Sequence, residues 1–541
     1  MKKLAFLLLA LSALAGCKKE PTGQQSATNL SHTSTRATAD DPEGETILGP
    51  QLNNPYTPEN MSAALEALAA QGVAIPPNFN IQTTHFYVKY KPDSWEQYVA
   101  LHADSEHDYF DYPLDREIIS EGNRYHDPEV GDSMPEYQYT AIEAGTPLDN
   151  GVPYEMLSPL YIPEQDERIA NTDFAELLLD QAYIQTENYQ DTVKNRNAQA
   201  KRSPYRPAGQ ILIHDNRLNQ NIGLEGVLVT ARRWFTIFRA RPDYWGNFQV
   251  NGTFLRPCNY SAHFEAPGFN VRQNFFNIIA YVNGPKQTGN WNTVVNGGYN
   301  NFAGDVFRGA YYYHYKNIDG LLRPFNPTGK FTSYIAKSGS GSAQGVNWGI
   351  IPLIKIWQQS SGGHTYMDDE VFSTTVHETA HLTHNILLGL NTVAYIAVKT
   401  EIRESWAVAV EWRLTGLEYK SRGITNYGDP NYYPSNPPGY PNAYGYQYWS
   451  LSSDPKYTSL FINCVDYFNE SGASFGLFAT GSVDDRIGHY HPGYKGAWTI
   501  AQVENQIIRW SVNLATVTTN MKNNKPANVT DADVDALMAS Y

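Results

Sequence analysis

Hydrophobic and polar positions change rhythm several times along this chain. After an apolar run at the start, residues 18–82 show little periodicity and are rich in Ser, Thr, Gln, Asn, Pro and Gly; only "MSAALEALAAQGV" carries the spacing of a short helix. That composition predicts a flexible tether. From "THFYVKYKP" an alternation of period two predicts a strand, and the apolar spacing of "DSWEQYVALHAD" predicts a helix. "DYPLDREII" and "PEYQYTAIEAG" read as further extended segments, and "FAELLLDQAYIQTENY" as a second helix or a connector. Together they predict a small α+β domain over 83–200.

Residues 206–275 switch to short alternating runs, "GQILIHD", "LEGVLVTARRW", "GNFQVNGTF" and "NYSAHFEAPGF", separated by Gly, Asn and Pro turns. This is the pattern of a small antiparallel β-sandwich. The longest continuous stretch, 276–541, contains two strong helix candidates at 370–389 and 398–419. Between 421 and 449 the chain is dense in Pro, Gly and Tyr with no usable period, which predicts an ordered surface loop. The expected fold class is therefore multidomain α+β: a small α+β N-terminal domain, an antiparallel sandwich and a C-terminal domain.

Composition narrows the function classes. With 541 residues the chain is too long for one ordinary core, and 41 Gly, 32 Pro and 38 Tyr favour turn-rich folds over long helical bundles. A net charge of −15 without a basic stripe argues against a nucleic-acid partner. The start, "MKKLAFLLLALSALAGCKKE", has two lysines, an apolar run too short to span a membrane and then small residues, the layout of a cleaved export signal. Its Leu14-Ala15-Gly16-Cys17 resembles the lipobox of bacterial lipoproteins. That resemblance implies lipidation at Cys17, cleavage after residue 16, and anchoring to the bacterial outer membrane on its periplasmic face or at the cell surface. In an oxidising compartment Cys258 and Cys464 offer a candidate disulfide, though sequence does not show that they meet.

The chemistry concentrates in "VHETAHLTHN". His377-Glu378-Thr379-Ala380-His381 fits H-E-x-x-H, and residues four apart share a helix face, so both imidazoles can reach one Zn²⁺. Glu378 lies about 100° further round, placed to act as a base without being a ligand. A catalytic zinc takes three protein ligands and keeps its fourth position open. His384 is seven residues from His377, about 10 Å along the helix, which is too far for one ion to hold both while His381 also binds. Metzincins place a helix-breaking glycine where this chain has His384, and their next ligand where it has Leu387, so that pattern does not fit.

The third ligand is then expected on the second helix, as in gluzincins. Glu401 has the thermolysin-like separation from His381, whereas Glu404 opens "ESWA", similar to the Glu-small-aromatic-Ala pattern of gluzincin aminopeptidases. Glu404 is the ligand this resemblance implies, with Glu401 as the alternative. Glu411, two turns on, is placed either to support a ligand histidine or to pair at the surface. Tyr or His from the tyrosine-rich loop, or His489, Tyr490 and His491 in "GHYHPGY", are candidates for stabilising an oxyanion.

The last 265 or so residues thus resemble zincin metallopeptidases of the gluzincin branch. The resemblance is carried by "TTVHETAHLTH" and "RESWAVAVEW", and more faintly by "FINCVDYFNE" and "WTIAQVENQI". Over about 65 residues, the sandwich segment resembles the carboxypeptidase-regulatory-like, transthyretin-like domain. These likenesses imply a zinc-dependent peptidase with a polypeptide or glycoprotein substrate. Two other readings remain: a non-catalytic binding or assembly lipoprotein with a structural zinc site, and a zinc hydrolase acting on peptidoglycan or glycoprotein.

Overall fold

The computed structural model of the chain describes residues 46–541 apart from 103–106, 121–124, 132–133, 149–150, 171, 189–203, 255, 274–278, 326–331, 348–352, 430–455, 467–497, 528 and 540. Cys17, most of the tyrosine-rich loop, and His489, Tyr490 and His491 lie outside the described residues.

The N-terminal part comprises β1 (Ile47–Gln51), α1 (Pro58–Ala70), β2 (His85–Tyr90), α2 (Trp95–His102), β3 (Arg116–Ser120), β4 (Gln138–Glu143), β5 (Tyr154–Leu160) and α3 (Asp173–Gln185). Thr57 and Thr172 start α1 and α3 by accepting the N–H groups of Asn60 and Ala175. β2 lies between β4 and β5, antiparallel to both, and Tyr87 from β2 joins Tyr56, Leu160 and Leu178 in the core.

There follow β6 (Ala208–Asp215), β7 (Gln220–Gly223), β8 (Leu228–Arg233), β9 (Thr236–Ala240), β10 (Asn247–Gln249), β11 (Cys258–His263), β12 (Glu265–Ala266), β13 (Phe269–Arg272), β14 (Tyr281–Gln287) and β15 (Trp291–Val295). One sheet has the order β10-β6-β15 with β7 also on β6, and another the order β14-β11-β8-β9. Their alternating inward residues, among them Ile211, Ile213, Val229, Tyr260 and Trp291, share one core.

The remainder comprises α4 (Gly298–Tyr315), β16 (Thr332–Ser340), β17 (Gln344–Asn347), β18 (Leu353–Gln359), α5 (Asp368–Leu387), α6 (Thr392–Ala397), α7 (Thr400–Ser421), α8 (Leu460–Asn463), α9 (Ile500–Gln502), α10 (Leu514–Asn523) and α11 (Asp531–Met538). A five-stranded mixed sheet has the order β12-β13-β16-β18-β17, parallel at β13-β16-β18 and antiparallel at both edges. β14 and β15 complete the sheets begun before residue 275, while β13 joins the sheet formed after it. Strand pairing therefore crosses the expected boundary at 275 in both directions. The architecture is mixed α+β with several antiparallel sheets.

Helix α4 carries no strong helical signal: "GYNNFAGDVFRGAYYYHY" is rich in Gly, Asn and Tyr, none of them a strong helix former. Burial sustains it instead. Tyr299, Phe302, Val306 and Phe307 enter the core, and a Cβ on Gly309 would come within 2.9 Å of the Phe372 carbonyl oxygen, so glycine lets α4 approach α5 closely. No described helix is long and apolar enough to cross a membrane. Cys258 and Cys464 are free thiols buried in different cores, so they do not form the candidate disulfide.

Candidate metal centre

Helix α5 is positioned at its start and along its inner face. Its first turn carries Asp368, Asp369 and Glu370, which complement the helix dipole, and the Glu370 carboxylate accepts the Met367 N–H at 2.7 Å. Further along, Thr379 and Thr383 hydrogen-bond the hydroxyls of Tyr334 on β16 (3.0 Å) and Tyr313 on α4 (2.8 Å). These contacts fix the rotation of α5 about its axis and leave His377 and His381 facing α7. Ser405 and Ala407, both small and buried, flank the point where α7 presents Glu404, and this allows the two helices to pack closely.

The Glu404 Oε2 lies 3.4 Å from His377 Nε2 and 3.3 Å from His381 Nε2. The two imidazole rings are 5.0 Å apart and nearly perpendicular, at 85°. Atoms about 2.0–2.1 Å from one tetrahedral zinc sit about 3.3 Å from each other, so both separations from Glu404 are those of ligand pairs on a common ion. All three side chains are at least 95% buried. The result is a buried His-His-Glu group able to hold a metal ion.

The outer ring nitrogens are also engaged. His377 Nδ1 pairs with the Glu411 carboxylate at 3.0 Å, and His381 Nδ1 with the Tyr395 hydroxyl at 3.1 Å. Donation from Nδ1–H to these oxygens leaves each Nε2 lone pair directed at the common point. Burial disfavours a charged His377, but Glu404 and Glu411 outweigh it and push the imidazole up to about 10. Burial likewise works against the Glu404 carboxylate, yet His381 and His377 outweigh it and hold that carboxyl well below its ordinary value. Each shift has its cause in the opposite charges of the other members of the cluster.

Of the residues singled out from sequence, His377, His381 and Glu404 come together, with Glu378 buried next to His377 on α5. Glu401 lies in the first turn of α7, only partly buried, and is not part of the group. Glu411 supports a ligand-type histidine instead of lying at the surface. His384 is neither a ligand nor exposed: it is buried against the Tyr395 ring, 5.3 Å away, and burial drives its imidazole down to about 3. Sequence reasoning missed Tyr395, because the short helix between the two long ones shows no pattern pointing at a histidine 14 residues earlier. It also missed Tyr457, whose ring centroid lies 6.3 Å from that of His377.

None of the cavities described for the chain is lined by this cluster. Comparison with known proteins gives no match: no family model, no curated protein and no solved structure matches the chain.

Proposed function

We propose that the chain is a zinc-dependent peptidase with a zincin-like catalytic domain of the gluzincin branch, exported and anchored to the outer membrane by lipid at Cys17. The observation that carries this reading is the convergence of His377, His381 and Glu404 at 3.3–3.4 Å with Glu378 one position away on the same helix. The donor set, two imidazoles and one carboxylate, suits zinc in a catalytic site better than the sulfur-rich or fully closed sets of structural sites. Bound there, zinc supplies Lewis acidity for a scissile carbonyl and for water. Glu378 takes the proton from the attacking water and returns it to the departing amine as the C–N bond breaks. Glu411 and Tyr395 keep the imidazoles oriented through these proton transfers.

An extended polypeptide substrate agrees with the surrounding fold. β17 is the outer strand of the five-stranded sheet, and α5 packs against it. Among the described residues no strand pairs with its outer edge, which offers main-chain hydrogen bonds to an added strand, one recurring way a sheet takes up an extended peptide.

Metal analysis and peptide-library cleavage by wild type and Glu378→Gln test the reading. Zinc should be bound by both, with turnover in the variant lower by about 10²–10⁴-fold. Wild-type activity that survives the substitution would overturn the role of Glu378. Zinc without any cleavage would favour a structural metal in a binding protein.

A further inference from the structure

The N-terminal α+β part and the sheet β14-β11-β8-β9 face each other across two cavities. The larger, about 590 Å³, is lined by Tyr98, His102, Tyr109 and Asp111 on one side and by His263 and Tyr281 on the other. The smaller, about 390 Å³, shares His107, Asp108 and Arg239 with it, so the Asp108–Arg239 ion pair marks the junction of a two-lobed groove. The larger lobe reaches β12 and the turn to β13, at the edge of the five-stranded sheet opposite β17 and the metal centre. Nothing in the zinc reading uses these residues.

The volume is that of a ligand site, and such sites favour the junction of two folding units. The lining also has a consistent chemistry. His263 stacks on Tyr281 with centroids 5.1 Å apart and planes 17° apart, and His102 packs between Tyr98 and Tyr109 at 4.5 and 5.6 Å. Gln138, Thr230, Ser261 and Asn283 also line the larger lobe; the Thr230 and Ser261 hydroxyls bond each other at 2.7 Å, and Ser261 and Gln138 also meet His263 and His102, each at 2.9 Å. The guanidinium groups are already committed, Arg239 to Asp108 and Arg241 to the carbonyl oxygens of Gly226 and Glu265 at 2.7 Å each. Burial pushes the Asp111 carboxyl up to about 7, so near neutrality it can donate as well as accept.

We propose that this groove is a saccharide-binding site: the ring faces stack on the C–H faces of sugar rings, and the amide, hydroxyl and carboxyl groups take the sugar hydroxyls. An elongated neutral ligand fits the two lobes and the paired charges. A charged ligand would have to break ion pairs already formed. A polypeptide would call for a deep apolar anchor pocket, whereas most rings here carry a polar group at their edge.

The test is ligand-detected NMR on the full-length chain with cellobiose, maltotriose, chitotriose and mannobiose. A matched set of tetrapeptides, and one of the sugars attached to a carrier protein, are measured in parallel. Saturable binding of at least one sugar is expected, at least about tenfold weaker in Asp111→Asn or in Tyr109→Ala, whose half-buried ring lies on the same wall. Tyr109→Ala should remain folded with wild-type zinc content, its thermal midpoint lowered by the loss of its ring contacts to Tyr90 and His102. Preference for the free or the carrier-linked sugar tells polysaccharide from glycoprotein as its source. No saturable sugar binding, binding of the peptides instead, or sugar binding unchanged in Tyr109→Ala would overturn the proposal. Because the readout is binding, the outcome is separate from that of the peptidase test.

Discussion

Helices α5 and α7 carry two buried polar sites that balance charge in different ways. At the start of α5 and the end of α7, Arg308 contacts Asp305 at 2.7 Å, Asp215 at 3.0 Å and Glu418 at 3.5 Å, while Arg217 meets Asp369 at 2.8 Å. Arg422 reaches the same Oε1 of Glu418, and the hydroxyls of Tyr419 and Tyr427 donate to Asp215 Oδ2 and Asp369 Oδ2, each at 2.8 Å. Burial alone would lower the Arg308 pKa, but Tyr419 and the carboxylates outweigh it and keep the guanidinium charged. From Asp369 to His377 is about 12 Å along α5. There the ion partners of Glu404 are two imidazoles, and all three groups aim at one point. The first site supplies its own cations and so functions as a clamp joining β6, α4, α5 and α7. The second has the donors of a cation site, which is why it reads as functional.

The sharpest break of that comparison sets Arg308→Ala against Glu404→Ala. Removing Arg308 leaves buried carboxylates uncompensated and should cost about 3–5 kcal/mol in urea unfolding, with zinc still bound by the folded fraction. Glu404→Ala should reverse the pattern: zinc is no longer bound stoichiometrically, and unfolding of the zinc-free protein changes far less. Glu401→Ala, run beside it, should keep its zinc. Loss of zinc with Glu401 instead would reassign the third ligand.

Tyr395→Phe keeps the ring against His384 and removes one hydroxyl. Zinc affinity should fall about 10–100-fold, as for other groups that orient a ligand histidine. A Tyr395→Phe protein that matches wild type in competition with a chromogenic chelator would limit Tyr395 to packing. The same titration reads out a proton. His377 is raised to about 10, so below that pH its proton must leave before Nε2 can bind metal. Zinc binding should therefore strengthen by up to about tenfold per pH unit between about pH 7 and 9 through this group, and level off above its pKa. A flat profile would show that His377 is already neutral.

Much of this site was legible in the sequence, because a helix converts spacing into direction. The four-residue step from His377 to His381 and the small residues beside Glu404 specify faces of two helices, and the structure places these faces together. The choice between Glu404 and Glu401 depended on how α7 is rotated, which spacing along the chain does not encode. Tyr395 and Arg308 were illegible for the same reason: each acts on residues from other elements. In the fold, a strand with clean alternation, such as β6, stood out. α4 did not, since its helix rests on burial against α5 and β16 rather than on propensity.

His384 gives the smallest and most discriminating test. It follows His381 by one helical turn, is 1% exposed, and neither ring nitrogen has a hydrogen-bond partner among the described residues. Burial keeps the ring neutral, so a substitution there forfeits no ion pair. His384→Leu replaces two buried polar atoms with apolar ones of similar bulk, against Tyr395 and the apolar body of α5. Stability should be unchanged or higher by up to about 1 kcal/mol, and zinc binding should be unaltered. A loss of zinc in this variant would make His384 a ligand, contradict the spacing argument along the helix, and require α5 to bend between His381 and His384.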